Sequence, residues 1–227
     1  MIKIKHLKKV FGKKKIYDDL NVEMREGEVF ALIGPNGVGK TTLMKILLKW
    51  DRDFTGVIEY PEKYTLGYSP ESPDFPEVLT GRQVLEYFME VEGMDASKRK
   101  EESKRLMEKV GLSLEKDTKV KYYSKGMNQR LGLAQALIGD PEILLLDEPS
   151  AGLDFFGQQQ MQNIIFELKE ASKLIILNSH LLYDVEKVAD RGMIIMNEKD
   201  QRCFSQEDLK EKSLADLFME VANESTY

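Results

Sequence analysis

The segment from Gly34 to Thr42 carries the clearest chemistry in the chain. It reads Gly34-Pro35-Asn36-Gly37-Val38-Gly39-Lys40-Thr41-Thr42, with four residues between Gly34 and Gly39 and then a lysine and a hydroxyl side chain, which satisfies the P-loop pattern. Glycine lets the backbone curl tightly, so its N–H groups converge on phosphate oxygens. A lysine at position 40 neutralises charge on β- and γ-phosphates, and a hydroxyl at position 41 is a ligand for Mg²⁺. The spacing therefore predicts a site that binds ATP with Mg²⁺ and hydrolyses it.

A second pair follows a second apolar run. Ile143-Leu144-Leu145-Leu146 ends in Asp147-Glu148, two adjacent carboxylates delivered at the end of a strand. Adjacency gives them different directions and so different tasks. Asp147 is the candidate to hold Mg²⁺ through water, and Glu148 the candidate to orient or deprotonate an attacking water.

The elements around these residues are those such chemistry needs. Val29-Phe30-Ala31-Leu32-Ile33 is short, apolar and partly β-branched, as a strand buried on both faces should be. A helix is predicted over Thr41–Lys49, with Leu43, Ile46 and Leu47 on one face. Phosphates thus meet a helix N-terminus, where the dipole and unpaired N–H groups favour anions. Strands are also predicted at Met1–Lys5, Val57–Tyr60, Ile143–Leu146, Leu174–Leu177 and Met193–Met196, with helices after Asp154 and Tyr183. Strands alternating with helices imply a parallel sheet covered on both sides.

Between about Ser72 and Asp140 the chain is more charged and mostly helical, and reads as a separate lobe. Thr80 with Gln83 three positions on fits a capping box, Gly111 stops a Lys/Glu-rich helix, and a further helix follows Ser124 and ends at Gly139. The tail is predicted helical over Gln206–Ala222, with no recognisable regulatory domain.

Composition narrows the setting. At 227 residues, 42% of them hydrophobic, one substantial α/β domain with a smaller lobe can bury its core without staples. The single cysteine, Cys203, cannot form an internal bridge. No run approaches the roughly 18 apolar residues of a membrane span. The lysines at 3, 5, 8, 9, 13, 14 and 15 alternate with apolar residues and read as a solvated strand face, with a phosphate or membrane-surface patch as the other reading. A net charge of -6 argues against a general affinity for nucleic acid.

Together these residues resemble the ATP-binding-cassette ATPases, in particular the separately encoded nucleotide-binding subunit of membrane transporters of the ABC-2 or multidrug-exporter type. Tyr123-Ser124-Lys125-Gly126-Met127-Asn128-Gln129-Arg130 is similar to the family signature, and Ser150-Ala151-Gly152-Leu153-Asp154 to the loop that crosses the dimer interface. His180 occupies the position of the switch histidine, and Phe11 that of the aromatic that stacks on adenine. The resemblance implies a P-loop NTPase core with a parallel sheet, an antiparallel β-rich N-terminal subdomain and an inserted helical lobe. Its boundaries would be 1–71 and 141–227 for the core and 72–140 for the lobe bearing the signature.

The resemblance also implies roles. Glu148, His180 and Lys40 would be catalytic. Phe11, the loop Gly34, Pro35, Asn36, Gly37, Val38, Gly39, Lys40, Thr41 and Thr42, and a partner's Ser124, Gly126 and Met127 would bind nucleotide. Thr41, Glu71 and Asp147 would face the metal. Partners would be a second ATPase subunit, in a homodimer or heterodimer closed head to tail, and a membrane permease, placing the chain at the inner face of the cell membrane. Two positions depart from the pattern: Lys125 replaces the first signature glycine, either adding charge near a partner's phosphate or facing solvent, and Glu71 follows Tyr68-Ser69-Pro70 where the family has glutamine.

Three other functions compete. A GTPase shares the P-loop, and Asp154–Gly157 fits DxxG while Asn197–Asp200 approximates NKxD, both read as chance. A cassette ATPase of DNA repair or translation would typically carry long coiled coils or a second cassette. A non-catalytic ATP clamp has no need of Lys40, Thr41, Asp147, Glu148 and His180 together.

Overall fold

The computed structural model describes residues 1–225. In chain order the elements are β1 (Ile2–Phe11), β2 (Lys14–Met24), β3 (Val29–Ile33), α1 (Lys40–Leu47), β4 (Thr55–Glu59), β5 (Leu66–Ser69), α2 (Gly81–Val91), α3 (Ala96–Lys109), a 3-10 turn (Val120–Tyr122), α4 (Lys125–Ala136), β6 (Ile143–Asp147), α5 (Phe155–Glu170), β7 (Leu174–Asn178), α6 (Leu182–Val188), β8 (Arg191–Ile195), β9 (Gln201–Ser205), α7 (Asp208–Glu211) and α8 (Leu214–Glu224). They form two compact units, one of residues 1–64 with residues 168 onward, the other Thr65–Glu167. The class is α/β, with parallel strands, an antiparallel β-rich N-terminal part and a helical segment.

In the first unit, β3 lies between β7 and β8 in parallel register, Leu32 opposite Asn178 and Ile33 opposite Ile194, and β9 adds antiparallel to β8. Every residue of β3 and β7 is buried, which accounts for their continuous apolar sequences. Each buried Val, Leu, Ile or Phe of these strands contributes about 1.5–3 kcal/mol.

The antiparallel sheet of the same unit has the order β2-β1-β4. Along β1, Ile2 and Ile4 are buried, then the register shifts between Ile4 and Leu7, where His6 takes φ 53°. A bulge changes the parity of the strand. Leu7 and Lys9 consequently face inward, so the solvated lysine face predicted from sequence fails at Lys9, which is 1% exposed.

The tail also differs from expectation. Ser213 accepts the amide of Asp216 and starts α8 afresh, dividing the predicted single helix into α7 and α8. An N-cap in mid-segment satisfies donors that a continuous helix would have bonded internally. The Leu214 amide donates to Glu186 of α6, tying α8 down at 2.8 Å.

In the second unit, β5 pairs in parallel with the fully buried β6, Ser69 opposite Leu146. The capping box at α2 is complete, with Thr80 and Gln83 each bonding the other's backbone. Asp95 caps α3 and Ser124 caps α4. Gly111 follows α3 at φ 67°, and α4 ends at Ala136, slightly earlier than the predicted stop at Gly139.

Candidate functional site

The loop from Gly34 to Gly39 leaves the C-terminal end of β3 and enters α1, so it sits at the edge where parallel strands of an α/β sheet direct their ligands. Two of its glycines are required by geometry. At Gly34 (φ 156°) an added Cβ would lie 2.1 Å from the carbonyl oxygen of Ile195, and at Gly39 (φ 124°) it would lie 2.5 Å from Cγ2 of Ile16. Any side chain at either position would force the backbone out of its curl.

No side chain caps α1, and its first turn holds no acidic residue. The positive end of the helix dipole there favours an anion. Lys40 is buried, and its Nζ donates to the carbonyls of Gly34 at 2.7 Å and Pro35 at 3.1 Å, inside the curve of the loop. Pro35, Asn36, Gly37 and Thr41 are exposed, and Val38 and Thr42 partly so. This is a cradle of N–H groups and one ammonium that fits a chain of phosphates, with the Thr41 hydroxyl at its rim.

The β1–β2 hairpin supports the cradle. Tyr17 is buried, and its hydroxyl donates to the carbonyl of Gly39 at 2.8 Å. Burial holds that phenol well above its ordinary pKa, so it stays a donor. At the hairpin end Phe11 pairs with Lys14, and Lys14 Nζ donates to the carbonyl of Gly37 at 3.2 Å. Phe11 is 52% exposed beside this contact.

His180 belongs to the same edge. It follows β7 by two residues, and Asn178 at the end of β7 lies opposite Leu32, two residues before Gly34. Ser179 Oγ accepts the amide of Leu181 and the carbonyl of His180 accepts that of Leu182, a turn that leaves the imidazole exposed.

The carboxylates lie in the second unit. Asp147 ends β6 at 3% exposure, and Tyr68 on the neighbouring β5 donates its hydroxyl to it. Burial first, then the charge of and hydrogen bond to Asp147, then the charge of Glu71, push the Tyr68 phenol up to about 12. Glu148 is buried and adopts φ 50°, a left-handed conformation uncommon for a residue with a Cβ. Its carbonyl accepts the Ala151 amide at 3.0 Å and the Gln129 side chain at 3.4 Å.

Gln129, on α4 and 1% exposed, also reaches the carbonyl of Pro70 at 3.4 Å. One amide therefore spans the strand end that leads to Glu71 and the turn that carries Glu148. Ser124 Oγ accepts the Met127 amide at 3.2 Å, and a Cβ on Gly126 would lie 2.9 Å from Leu153. Lys125 runs along Gly152, where an added Cβ would lie 2.9 Å from its Cδ. Signature segment and 150–154 loop are thus in contact within this unit.

Sequence reasoning did not mark Tyr17, and it quoted Tyr68 and Gln129 only within longer segments, without a role of their own. Each acts through a partner remote in the chain, Gly39 for Tyr17, Asp147 for Tyr68 and Glu148 for Gln129. The two GTPase-like matches have local explanations. Asp154 accepts the Gly157 amide at 2.8 Å at the start of α5, and Asn197 accepts the amides of Lys199 and Asp200 at 2.9 and 2.8 Å in the β8–β9 turn.

Among the described residues, no group of three or more His, Cys, Asp or Glu is placed to hold a metal. The Thr41 hydroxyl at the rim of the loop is a ligand type that suits Mg²⁺, which keeps several waters and takes further ligands from substrate phosphates. No helix among the described residues is long and apolar enough to cross a membrane.

Known proteins resemble this chain. The family model for ABC transporters matches residues 17–151, more than half of the chain. An uncharacterized ABC transporter ATP-binding protein of Synechocystis sp. is 41% identical over 186 residues, 78% of this chain, which spans about half (52%) of that relative's length. The lantibiotic transport ATP-binding protein SrtF of Streptococcus pyogenes is 37% identical over 197 residues, 84% of each chain. A solved structure described as the ATP binding subunit of an ABC transporter has the same fold, with a TM-score of 0.86, 24% identity, and 98% of this chain and 99% of that one covered. The chain belongs to the ABC transporter family.

Proposed function

We propose that the protein is an ATP-binding and ATP-hydrolysing subunit that closes head to tail on a second copy or a related subunit and powers a membrane transporter, of exporter type. The observation that carries this reading is the cradle at the end of β3: a backbone curled where no Cβ fits, an uncapped helix start, and a buried Lys40 directed into the loop. Family membership supports it, and the lantibiotic transport named for SrtF supports the coupling to transport.

In this proposal Gly34 to Thr42 bind the phosphates and Phe11 stacks on adenine. Glu148 orients and deprotonates the attacking water, while His180 and Lys40 stabilise charge on the γ-phosphate. Thr41, Asp147 and Glu71 would hold Mg²⁺, Asp147 through water, and the ion would supply neutralisation of phosphate charge. Ser124, Gly126 and Met127 would meet the partner's nucleotide, so that one chain alone is half a site. The chain would divide into a catalytic core, 1–71 and 141–227, and a helical subdomain, 72–140. A permease subunit at the inner face of the membrane would take up the motion near Glu71 and Pro73–Pro76.

The test is phosphate release by the purified chain. Mg²⁺-dependent hydrolysis of ATP that is lost in Lys40→Met and competed weakly by GTP supports the proposal. ATP retained without release of phosphate would favour a clamp, and preference for GTP a regulatory GTPase. Copurification from native cells with an integral membrane protein tests the transport assignment.

A further inference from the structure

We propose that Lys9 is a positioning residue for Phe11, holding the ring as a fixed purine platform; the inference rests on the base-stacking reading of Phe11. Lys9 Nζ donates to Asp51 Oδ1 at 2.9 Å, to the carbonyl of Asp53 at 2.6 Å and to Asp53 Oδ2 at 3.4 Å. It lies 4.5 Å from the centroid of the Phe11 ring, within the range of a cation–π contact. Lys9 is 1% exposed and Phe11 52% exposed. The ring thus has one face set against a buried ammonium and still presents surface to solvent.

Burying an ammonium is costly, and a paired ion at such a position adds little over an apolar side chain of similar volume. A methionine there would pack as well and need no partners. What an apolar residue cannot do is hold an aromatic face by charge. The bulge at His6 brings Lys9 to the inner side of β1, and the Asp51–Asp53 turn then fixes its amine from below. The ammonium draws π density to the inner face of Phe11, leaving the outer face electron-poor and matched to an electron-rich purine. Lys14, opposite Phe11 across the hairpin, bonds the carbonyl of Gly37, so this platform is tethered to the loop that would carry the phosphates.

The experiment is calorimetric titration with Mg-ATP and with magnesium tripolyphosphate, which has the charge and no base. Lys9→Met is expected to weaken ATP binding about 3- to 10-fold and leave tripolyphosphate binding unchanged, while Lys9→Arg restores ATP binding. Phe11→Leu sets the scale by removing the ring. If Phe11→Leu binds ATP as the wild type does, the stacking reading fails and this inference with it. If Phe11→Leu weakens ATP and Lys9→Met does not, the inference alone is overturned. Equal losses for both ligands in Lys9→Met would mean a structural role only. Should Lys9→Met fail to fold, Asp51→Asn, which loosens the anchor and keeps the stem, must show the same base-dependent loss.

Discussion

The hydroxyl of Tyr17 donates to the carbonyl of Gly39 at 2.8 Å, joining the antiparallel hairpin to the residue that precedes the loop lysine. Gly39 is also where an added Cβ would meet Ile16 Cγ2, so neighbouring residues of β2 hold the loop by contact and by hydrogen bond. Tyr17→Phe keeps the ring and removes one of two donors to the Gly39 carbonyl, the other being the Leu43 amide at 2.9 Å; losing such a hydrogen bond costs about 0.5–1.5 kcal/mol. Urea unfolding should show that loss together with weaker Mg-ATP binding. Unchanged binding would mean that the loop keeps its shape without the hairpin.

Gly39→Ala should be worse for binding than for folding. At φ 124° an L residue is strained, and the methyl has nowhere to go without moving Ile16. Titration is expected to show ATP affinity down by about tenfold or more, the 1.4 kcal/mol that such strain readily reaches, with the circular dichroism spectrum retained.

Tyr68 is expected to tune the metal. Tyr68→Phe removes the donor to Asp147, and the Mg²⁺ concentration for half-maximal turnover should change while the Mg-free affinity for ATP does not. The sign of the pH effect follows from linkage. The folded protein holds the phenolic proton more tightly than the unfolded chain, so this stabilisation is present below pH 10 and is lost as pH rises toward about 12. Tyr68→Phe should flatten that part of the stability profile, measured by urea midpoints from pH 9 to 12.

Glu148 combines a carboxylate with a left-handed backbone at φ 50°. Glu148→Gln should reduce turnover about 10²- to 10⁴-fold, the usual contribution of a general base. The αL conformation costs about 1–2 kcal/mol for a residue with a Cβ, more than the roughly 0.4–1 kcal/mol that glycine adds to unfolded-chain freedom. Glu148→Gly is therefore expected to unfold at higher urea than Glu148→Ala. The reverse order would show that the turn is not strained.

The strands β3, β6 and β7 were legible from sequence to within a residue because burial on both faces makes their apolar runs continuous. The start of α2 was legible because Thr80 and Gln83 form a local device. By contrast β9 has only Phe204 buried among Gln201–Ser205, so it left no periodic trace, and Ser213 looked like any polar residue in a helical tail. The candidate loop and carboxylates were legible as motifs. Their supports were not: Lys9 is buried because of a bulge five residues into β1, and Tyr17, Tyr68 and Gln129 meet partners that only tertiary packing brings near.

A closed pair around trapped nucleotide is the central claim, and sedimentation velocity of the Glu148→Gln protein tests it most directly. With Mg-ATP the account predicts a shift from a 26.1 kDa species to one of twice that mass, reversed by chelating the metal and absent when Ser124 is also replaced by Arg. A monomer that persists at saturating Mg-ATP would contradict closure on a second copy.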